Sequence, residues 1–257
     1  MIKYLKFVCF FLACFTLISC EEKNPNNNKN PNNNNPNSNT NENLTPKQVY
    51  ERIITEINNK NSYMIETSGN TETKVLFTYT QETNTKVYYF DNSIYNETSS
   101  TSTLVERHHK SYIKDNSIAY YDSKRCESNE IKKSSIDEYL NIFGRCHNKN
   151  EFFDLKIDDN SITNIYLNGN IITIHLNDKS VEKNKIQMKE FGGLNDYPIF
   201  NGIKLEIYFD NNYNVNKYIS YQDYQISMFI LGTVNCKQKL TSLVSYNFDY
   251  PNVDEFK

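Results

Sequence analysis

The sequence of 257 residues contains no tryptophan, seven glycines, six prolines and only four arginines. So little glycine and proline excludes a collagen-like chain and a chain that is disordered throughout. The formal net charge of −3 excludes a general nucleic-acid-binding protein, which needs a basic face to displace counterions. Tyrosine and phenylalanine are abundant instead, with 20 and 15 residues. We interpret these rings mainly as core material and secondarily as a contact surface or cavity lining.

The usual sequence signatures of catalysis are also missing. There is no nucleophile elbow, phosphate-binding glycine loop, zinc-protease helix or CxxC pair. Asp210 begins an asparagine-rich stretch that resembles the start of a calcium loop, but Val215 and Tyr221 replace the glycine and glutamate that such a loop needs. We therefore expect a protein that is not an enzyme and that has no cofactor, no metal site and no nucleic-acid partner.

The first twenty residues combine two lysines with a continuous apolar run at 7–15. This run is too short to span a bilayer stably and is typical of a secretory signal peptide. It leads to Leu-Ile-Ser at 17–19 and then Cys20, an ending that resembles a bacterial lipobox. The resemblance implies a lipoprotein signal peptide at 1–19 and a lipid anchor on Cys20. An ordinary signal peptide with an incidental cysteine is the alternative.

Residues 20–43 are predicted to be a disordered tether behind the lipidated cysteine. The stretch from 21 to 43 is mostly asparagine and has no apolar side chain, so nothing offsets the entropy cost of ordering it. We expect the protein to lie in the cell envelope, attached to the membrane through Cys20. Glu21 replaces the aspartate that retains many lipoproteins at the inner membrane of diderm bacteria. The expected location is therefore the outer membrane in a diderm, or the outer face of the plasma membrane in a monoderm.

Residues 44–257 are predicted to form a single domain that begins with a helix. Thr45 and Gln48 have the spacing of a capping box, Pro46 suits the first helical position, and apolar residues then follow at helical spacing. A second capping box, formed by Ser135 and Glu138, predicts another helix in the middle of the chain.

Between and after these helices, the pattern predicts antiparallel strands. An Asn-Gly pair at 168–169 separates two apolar runs and indicates a tight hairpin. The predicted strands are 63–68, 73–79, 85–90, 104–109, 112–113, 118–121, the two arms of the hairpin at 165–172, 203–209, 215–224, 225–231 and 239–250. The fold class is therefore α+β: a large curved antiparallel β-sheet (an open half-barrel, or meander) with the N-terminal helix and the mid-chain helix on its concave side.

This order of elements resembles the lipoprotein-carrier fold of Lol-type proteins and related mycobacterial lipoproteins, over roughly residues 44–257. The segments that carry the resemblance are 63–65, 205–210 and 246–253. Members have a half-closed antiparallel barrel with helices at its mouth, which implies a cavity for acyl chains or another hydrophobic ligand. Its expected lining is Ile53, Ile57, Val75, Phe77, Ile207, Phe209, Val244 and Phe248.

Cys126 and Cys146 flank the second predicted helix, and an exported protein can form disulfides. We predict a Cys126–Cys146 bridge, with pairing of either cysteine to Cys236 as the alternatives. Another interpretation gathers the two cysteines with His108, His109 and His147 into a zinc site. Adjacent residues on a strand point to opposite faces, which disfavours this grouping.

The sequence thus predicts a membrane-anchored, exported lipoprotein that is monomeric and not an enzyme. It would bind a lipid, an acyl chain or another hydrophobic small molecule in a cavity between the curved sheet and the helices. The alternative is a surface interaction or structural lipoprotein with a solid core and a tyrosine-rich contact face.

Replacing Cys20 with serine should abolish lipidation, because the thioether to the anchor forms on the cysteine sulfur. Metabolic labelling of bacteria with an alkynyl fatty acid measures this, and the variant should carry no label. Cys14→Ser changes a cysteine inside the apolar run and should leave labelling intact. Equal labelling of the Cys20→Ser protein would show that the anchor lies elsewhere.

Overall fold

The structure is a computed structural model that describes residues 44–75, 78–102, 106–126, 130–149, 152–191, 194–228 and 232–257. The predicted signal peptide, Cys20, the tether and Phe77 lie outside these ranges. Eleven strands are described: β1 (Tyr63–Lys74), β2 (Thr78–Phe90), β3 (Ser93–Ser102), β4 (Glu106–Lys114), β5 (Ser117–Asp122), β6 (Lys132–Ser135), β7 (Ile162–Asn168), β8 (Ile171–Leu176), β9 (Ile199–Phe209), β10 (Val215–Met228) and β11 (Gly232–Ser245). The helices are α1 (Pro46–Asn58), α2 (Ile136–Phe143) and α3 (Glu182–Ile186), with short turns of 3₁₀ or π type at Asp178–Val181, Gln187–Phe191 and Asp254–Phe256.

All eleven strands belong to one antiparallel sheet, in the order β6-β5-β4-β3-β2-β1-β11-β10-β9-β8-β7. The sheet consists of two meanders. Strands β1 to β6 run in chain order from the centre of the sheet to one edge, and strands β7 to β11 run in chain order from the other edge back to the centre. The first and last strands pair at its centre, from Met64 opposite Ser245 to Lys74 opposite Asn235. Strands β6 and β7 form two separate edges, so the sheet is open. The predicted α+β fold with an open antiparallel sheet is therefore confirmed.

Helices α1 and α2 pack on the same side of the sheet, which we call the inner face. Buried residues of α1, such as Ile53, share one apolar cluster with Ile65 of β1 and Ile207 of β9. Buried residues of α2, such as Tyr139, pack against Ile113 of β4. The strand registers place all these sheet residues on one face, because side chains alternate along each strand.

Both predicted helix starts are confirmed by their capping geometry. The Thr45 hydroxyl accepts from the Gln48 backbone N–H at 3.3 Å, and the Gln48 side chain accepts from the Thr45 N–H at 2.8 Å. Ser135 and Glu138 make the same reciprocal pair. Gly144 ends α2 with φ +76°, a left-handed conformation that glycine adopts without strain. The Asn-Gly hairpin is confirmed as the β7–β8 turn.

Several strand predictions were wrong. The segments 104–109 and 112–113 were expected to be two strands but contribute to the single strand β4, and the strand expected at 239–250 is β11, which begins at Gly232 and ends at Ser245. The segment 73–79 was expected to be one strand, but the chain reverses within it and Lys74 pairs with Thr78. The segment 215–231 was expected to be two strands, and its described part is dominated by the single strand β10. Strand β3 was missed, because its sequence SIYNETSSTS is polar on both faces and lacks the alternation that marks a half-buried strand.

Gly69 pairs with Leu240 of β11, and it provides a specific test of the central pairing. A Cβ atom at this position would lie 2.0 Å from the backbone oxygen of Lys239, so the two strands would have to separate. We expect Gly69→Ala to lower the free energy of unfolding by about 1–3 kcal/mol, the usual cost of overpacking. Urea denaturation measures this difference.

Gly202→Ala is the matched control, because a Cβ at that position meets no atom within 4 Å. It should be neutral or stabilise by up to about 1 kcal/mol, since alanine restricts the unfolded chain. Equal effects of the two substitutions would contradict the close approach of β1 and β11.

Candidate functional site

Two neighbouring cavities lie on the inner face of the sheet. The first, which we call the groove, lies between α1 on one side and Lys149 and the segment 152–157 on the other, and has a volume of about 490 Å³. This volume is within the range of small-molecule sites. Its walls are mainly apolar, with Glu51, Asn58 and Lys149 as the polar members. The apolar members are Tyr50, Ile54, Ile57, Phe152, Phe153, Leu155 and Ile157.

The second cavity, which we call the chamber, lies deeper, between the centre of the sheet and the segments that cover it. It has a volume of about 100 Å³, space for only a few water molecules. The covering side is formed by Phe152, Phe153, Asp154, His147 and Asn184. The sheet side carries hydroxyl and amide groups from four central strands: Thr67, Thr83, Thr85, Ser220, Gln222, Gln238 and Ser242.

Phe152 and Phe153 line both cavities and form the wall between them. Their ring centroids are 5.0 Å apart, and those of Phe153 and Tyr218 are 5.2 Å apart. The Tyr218 hydroxyl donates to the backbone oxygen of Phe152 at 3.3 Å. Burial raises the pKa of Tyr218, so this phenol remains a neutral donor. The wall is therefore held by aromatic packing and one hydrogen bond, and the next residue, Asp154, pairs with the buried Arg145.

The structure brings only one of the predicted lining residues, Ile57, to either cavity. Phe248 instead contacts Tyr88, on the side of the sheet opposite the inner face. Val75 packs against a separate apolar cluster. The other four described residues are buried in the solid core beneath α1: Ile53, Ile207, Phe209 and Val244.

Sequence reasoning missed the polar lining of the chamber. Thr83 and Thr85 alternate with charged or polar residues of the outer face, so β2 looks polar throughout this stretch. Only the pairing of β2 with β1 and β3, and the cover above it, makes its threonines buried. The signal that could have found them was the unusual frequency of threonine and serine in consecutive strands.

A separate buried network joins β4, β5 and α2. Asp122 accepts from Arg107 through Nε at 2.9 Å and Nη2 at 2.6 Å. His109 Nδ1 lies 3.1 Å from the same carboxylate, and its Nε2 lies 2.8 Å from the Tyr139 hydroxyl. Asp122, His109 and Tyr139 are each 0% exposed. Asp122, His109 and Tyr139 follow one another in the order found in a proton relay. Tyr139, however, does not line any of the cavities found among the described residues, so a ligand in those cavities would not reach it.

The protonation states in this network follow from burial and hydrogen bonding. Burial opposes ionisation of Asp122, but the hydrogen bonds from His109 and Arg107 prevail and lower the pKa of its carboxyl to about 2. Desolvation lowers the pKa of His109 and outweighs the attraction of Asp122. His109 is therefore neutral, with Nδ1–H donating to Asp122 and Nε2 accepting from Tyr139.

The predicted Cys126–Cys146 bridge is absent from the structure. Cys126 and Cys236 are free thiols in the described part of the chain, which also rules out their alternative pairings there. The sulfur of Cys126 instead accepts from the backbone N–H of Asp122 at 3.4 Å, at the turn that follows β5. Since this turn fixes the thiol beside its own strand, the flanking positions of the two cysteines were a poor guide to pairing.

The zinc interpretation finds no support among the described residues, where no three His, Cys, Asp or Glu side chains could hold a metal ion. His109 faces Asp122 in the interior, whereas His108 is exposed and lies 2.9 Å from Glu106. The two histidines thus occupy opposite faces, as expected for neighbours on a strand. No helix within the described ranges is long and apolar enough to cross a membrane.

No protein-family model matches the sequence, and no curated protein matches it. It is similar to the crystal structure of a DUF1329 family protein from Desulfovibrio piger, with 8% identity, a TM-score of 0.33, and coverage of 82% of this chain and 98% of that chain. A LolA superfamily protein from Nitrosomonas europaea gives 10% identity, a TM-score of 0.30, and coverage of 81% and 96%. Likenesses this distant carry no argument about function.

We expect the stability of the domain to fall between pH 7 and pH 5, because His109 is neutral when folded. A histidine in the unfolded chain binds a proton below about pH 6.5, whereas His109 in the folded protein does not. Each such group therefore lowers the free energy of unfolding by up to about 1.4 kcal/mol for each pH unit below that value. Desolvation and the nearby Arg145 also lower the pKa of His147, which adds to the slope. Urea denaturation at each pH measures it.

His109→Gln should reduce by one the number of protons that the chain takes up when it unfolds, because glutamine does not titrate. The free energy of unfolding should then change less steeply with pH. His108→Gln, on the exposed neighbour, should retain the wild-type slope. If His109→Gln has the slope of the unsubstituted protein, His109 is not held neutral in the folded state.

Proposed function

We propose that this protein is a membrane-anchored binding protein, not an enzyme, that holds an acyl chain or another long hydrophobic ligand in the groove beside α1. The observation that carries the proposal is the groove itself: about 490 Å³ with seven apolar side chains in its walls. Burying a methylene group contributes about 0.8 kcal/mol, so a chain of ordinary length supplies enough free energy for binding.

The dimensions of α1 also suit an elongated ligand. The helix has 13 residues, which corresponds to a length of about 20 Å. Its buried stripe, including Ile53 and Ile57, packs on the sheet, and Ile54 remains half-buried at the groove. The helix is therefore attached to the core by one stripe, while an adjacent apolar position is available to a ligand.

A role in catalysis has less support. The buried array of Asp122, His109 and Tyr139 is fully hydrogen-bonded and inaccessible, which suits a structural role for joining α2 to the sheet. The charged groups of the groove, Glu51 and Lys149, lie on different elements, and no serine, threonine or cysteine among the described residues lines the groove with them. Binding without chemistry is the simpler use of this site.

A tyrosine-rich contact face has less support as well, because among the tyrosines that the structure describes the buried ones outnumber the largely exposed ones three to one. Three tyrosines of the described chain have large exposed areas, Tyr166, Tyr197 and Tyr250. Nine others are buried: Tyr50, Tyr63, Tyr79, Tyr89, Tyr95, Tyr120, Tyr139, Tyr218 and Tyr224.

We further propose that the lipid on Cys20 and the tether hold the groove close to the surface of an envelope membrane. A flexible chain of 23 residues has a typical reach of about 25 Å, so the groove would remain near a membrane, which is a source of acyl chains. The anchor and the groove are independent parts of this proposal, since the groove is formed entirely by residues 50–157.

Ile54→Asn should weaken the binding of a C12 fatty acid by at least about tenfold, because it places an amide in the apolar wall. Isothermal titration with dodecanoate, below its micellar concentration, measures the affinity. Thr55→Asn changes the neighbouring exposed residue of the same helix and should bind as the unsubstituted protein does. If dodecanoate does not bind, or if both variants bind it equally, the groove is not the ligand site.

A further inference from the structure

We propose that the chamber behind Phe152 and Phe153 binds an uncharged diol headgroup, so that the ligand is an acylglycerol with its chain in the groove. This inference rests on the proposed function and names the class of ligand. Four observations support it: the supply of hydroxyl and amide groups, two unpartnered buried donors, the charge of the lining, and the shared wall between the cavities.

The central strands place pairs of hydroxyl groups around the chamber. The side-chain oxygens of Thr67 and Ser242 are 2.7 Å apart, and those of Thr85 and Thr98 are 3.0 Å apart. A hydroxyl group has one donor and two acceptor positions, so each such pair retains unused capacity. Ligand hydroxyl groups, which both donate and accept, match this lining better than an ester or an ether would.

Two buried amides beside the chamber have a donor with no hydrogen-bond partner within the described part of the chain. These are Gln81 Nε2 and Asn96 Nδ2, on residues that are 2% and 0% exposed. Gln81 precedes the lining residue Thr83 by two positions on the same face of β2. Asn96 pairs across the sheet with Val87, which also lines the chamber.

An unsatisfied buried donor costs about 1–3 kcal/mol, so natural proteins rarely keep one without a use, and these two lie towards opposite ends of the chamber's β2 lining. Asn96 is connected to the lining, because Thr98 donates to its Oδ1 at 3.1 Å and Thr98 also pairs with Thr85. Acceptor groups that enter the chamber would lower this cost, either directly or by allowing the hydroxyl network to reorient.

The charges of the lining exclude an anionic headgroup. Arg145, which is 4% exposed, contacts the lining residues Asn184 and Asp154, and its guanidinium is already paired with the Asp154 carboxylate. The lining residue His147 has a lowered pKa and is neutral. A phosphate or a carboxylate in the chamber would therefore lack a counter-charge, and burying an unpaired charge is strongly unfavourable.

The size of the chamber selects a small headgroup. A volume of about 100 Å³ suits a glyceryl group and is too small for a large glycan. The rings of Phe152 and Phe153 would have to move to connect chain and headgroup, and their attachment through aromatic contacts permits this while the Asp154–Arg145 ion pair holds the main chain beside them.

Three ligands with the same acyl chain test the inference: 1-monododecanoylglycerol, methyl dodecanoate and dodecanoate, each titrated calorimetrically into the protein below its aggregation limit. We expect the monoacylglycerol to bind at least about tenfold more tightly than the other two. Thr83→Val, which keeps the side-chain volume and removes the hydroxyl group, should reduce this preference by about threefold or more. Ser220→Ala, at a second lining position, should act in the same direction.

Thr80→Val is the matched control, since Thr80 lies on the exposed face of the same strand and should leave all three affinities unchanged. If the three ligands bind with equal affinity, the chamber does not recognise a headgroup, and the proposed function stands without this inference. The chamber is likewise excluded as the headgroup site if Thr83→Val and Ser220→Ala both leave the preference intact. If none of the ligands binds, the proposed function fails as well.

Discussion

The pairing of β1 with β11 is the constraint on which the remainder of the structure depends. Each meander is built from strands that follow one another in the chain, most of them joined by short turns, so most of its contacts are local in sequence. Only the central pair brings together residues that are about 180 positions apart, such as Met64 and Ser245. Long-range pairing of this kind forms slowly, because the chain loses the entropy of closing a long loop before the stabilising contacts form. Without it the chain would be two half-sheets with no common inner face.

The central pair also determines the chemistry of that inner face. Strands β8 and β9 supply an apolar surface, which α1 covers with Ile53 and Ile57 to make a solid core. The middle of β1, β2, β10 and β11 supplies threonine, serine and glutamine, which cannot pack into such a core without hydrogen bonds. The boundary between the two surfaces lies near Tyr218, and Phe152 and Phe153 cover it. A site with an apolar and a polar part is the direct result.

The parts of the fold that could be predicted from sequence are those with local causes. The capping boxes at Thr45 and Ser135 and the Asn-Gly hairpin depend on residues within a few positions of each other, and all three formed as expected. Strand β3 could not be predicted, because its inner-face residues Asn96 and Thr98 are polar and become buried only through partners elsewhere in the chain. The same reason concealed the chamber, since a buried threonine and an exposed one look identical in sequence.

The two helices that flank the inner face are held by different interactions, and the difference bears on which part of the cover can open. Helix α2 is fixed by the hydrogen bond between Tyr139 and His109, which belongs to a network of no net charge: Arg107 and Asp122 cancel, and His109 is neutral. Breaking this hydrogen bond would leave the buried Tyr139 hydroxyl and the His109 ring nitrogen without partners, a cost of about 1–3 kcal/mol. The rings of Phe152 and Phe153 are held by ring packing alone, while the main chain beside them is held by the Tyr218 hydrogen bond and by the ion pair of Asp154 with the buried Arg145. Ring packing can be replaced by contacts with another apolar group, such as an acyl chain, at little cost. The cover should therefore open at these phenylalanines, between the groove and the chamber, while α2 stays in place.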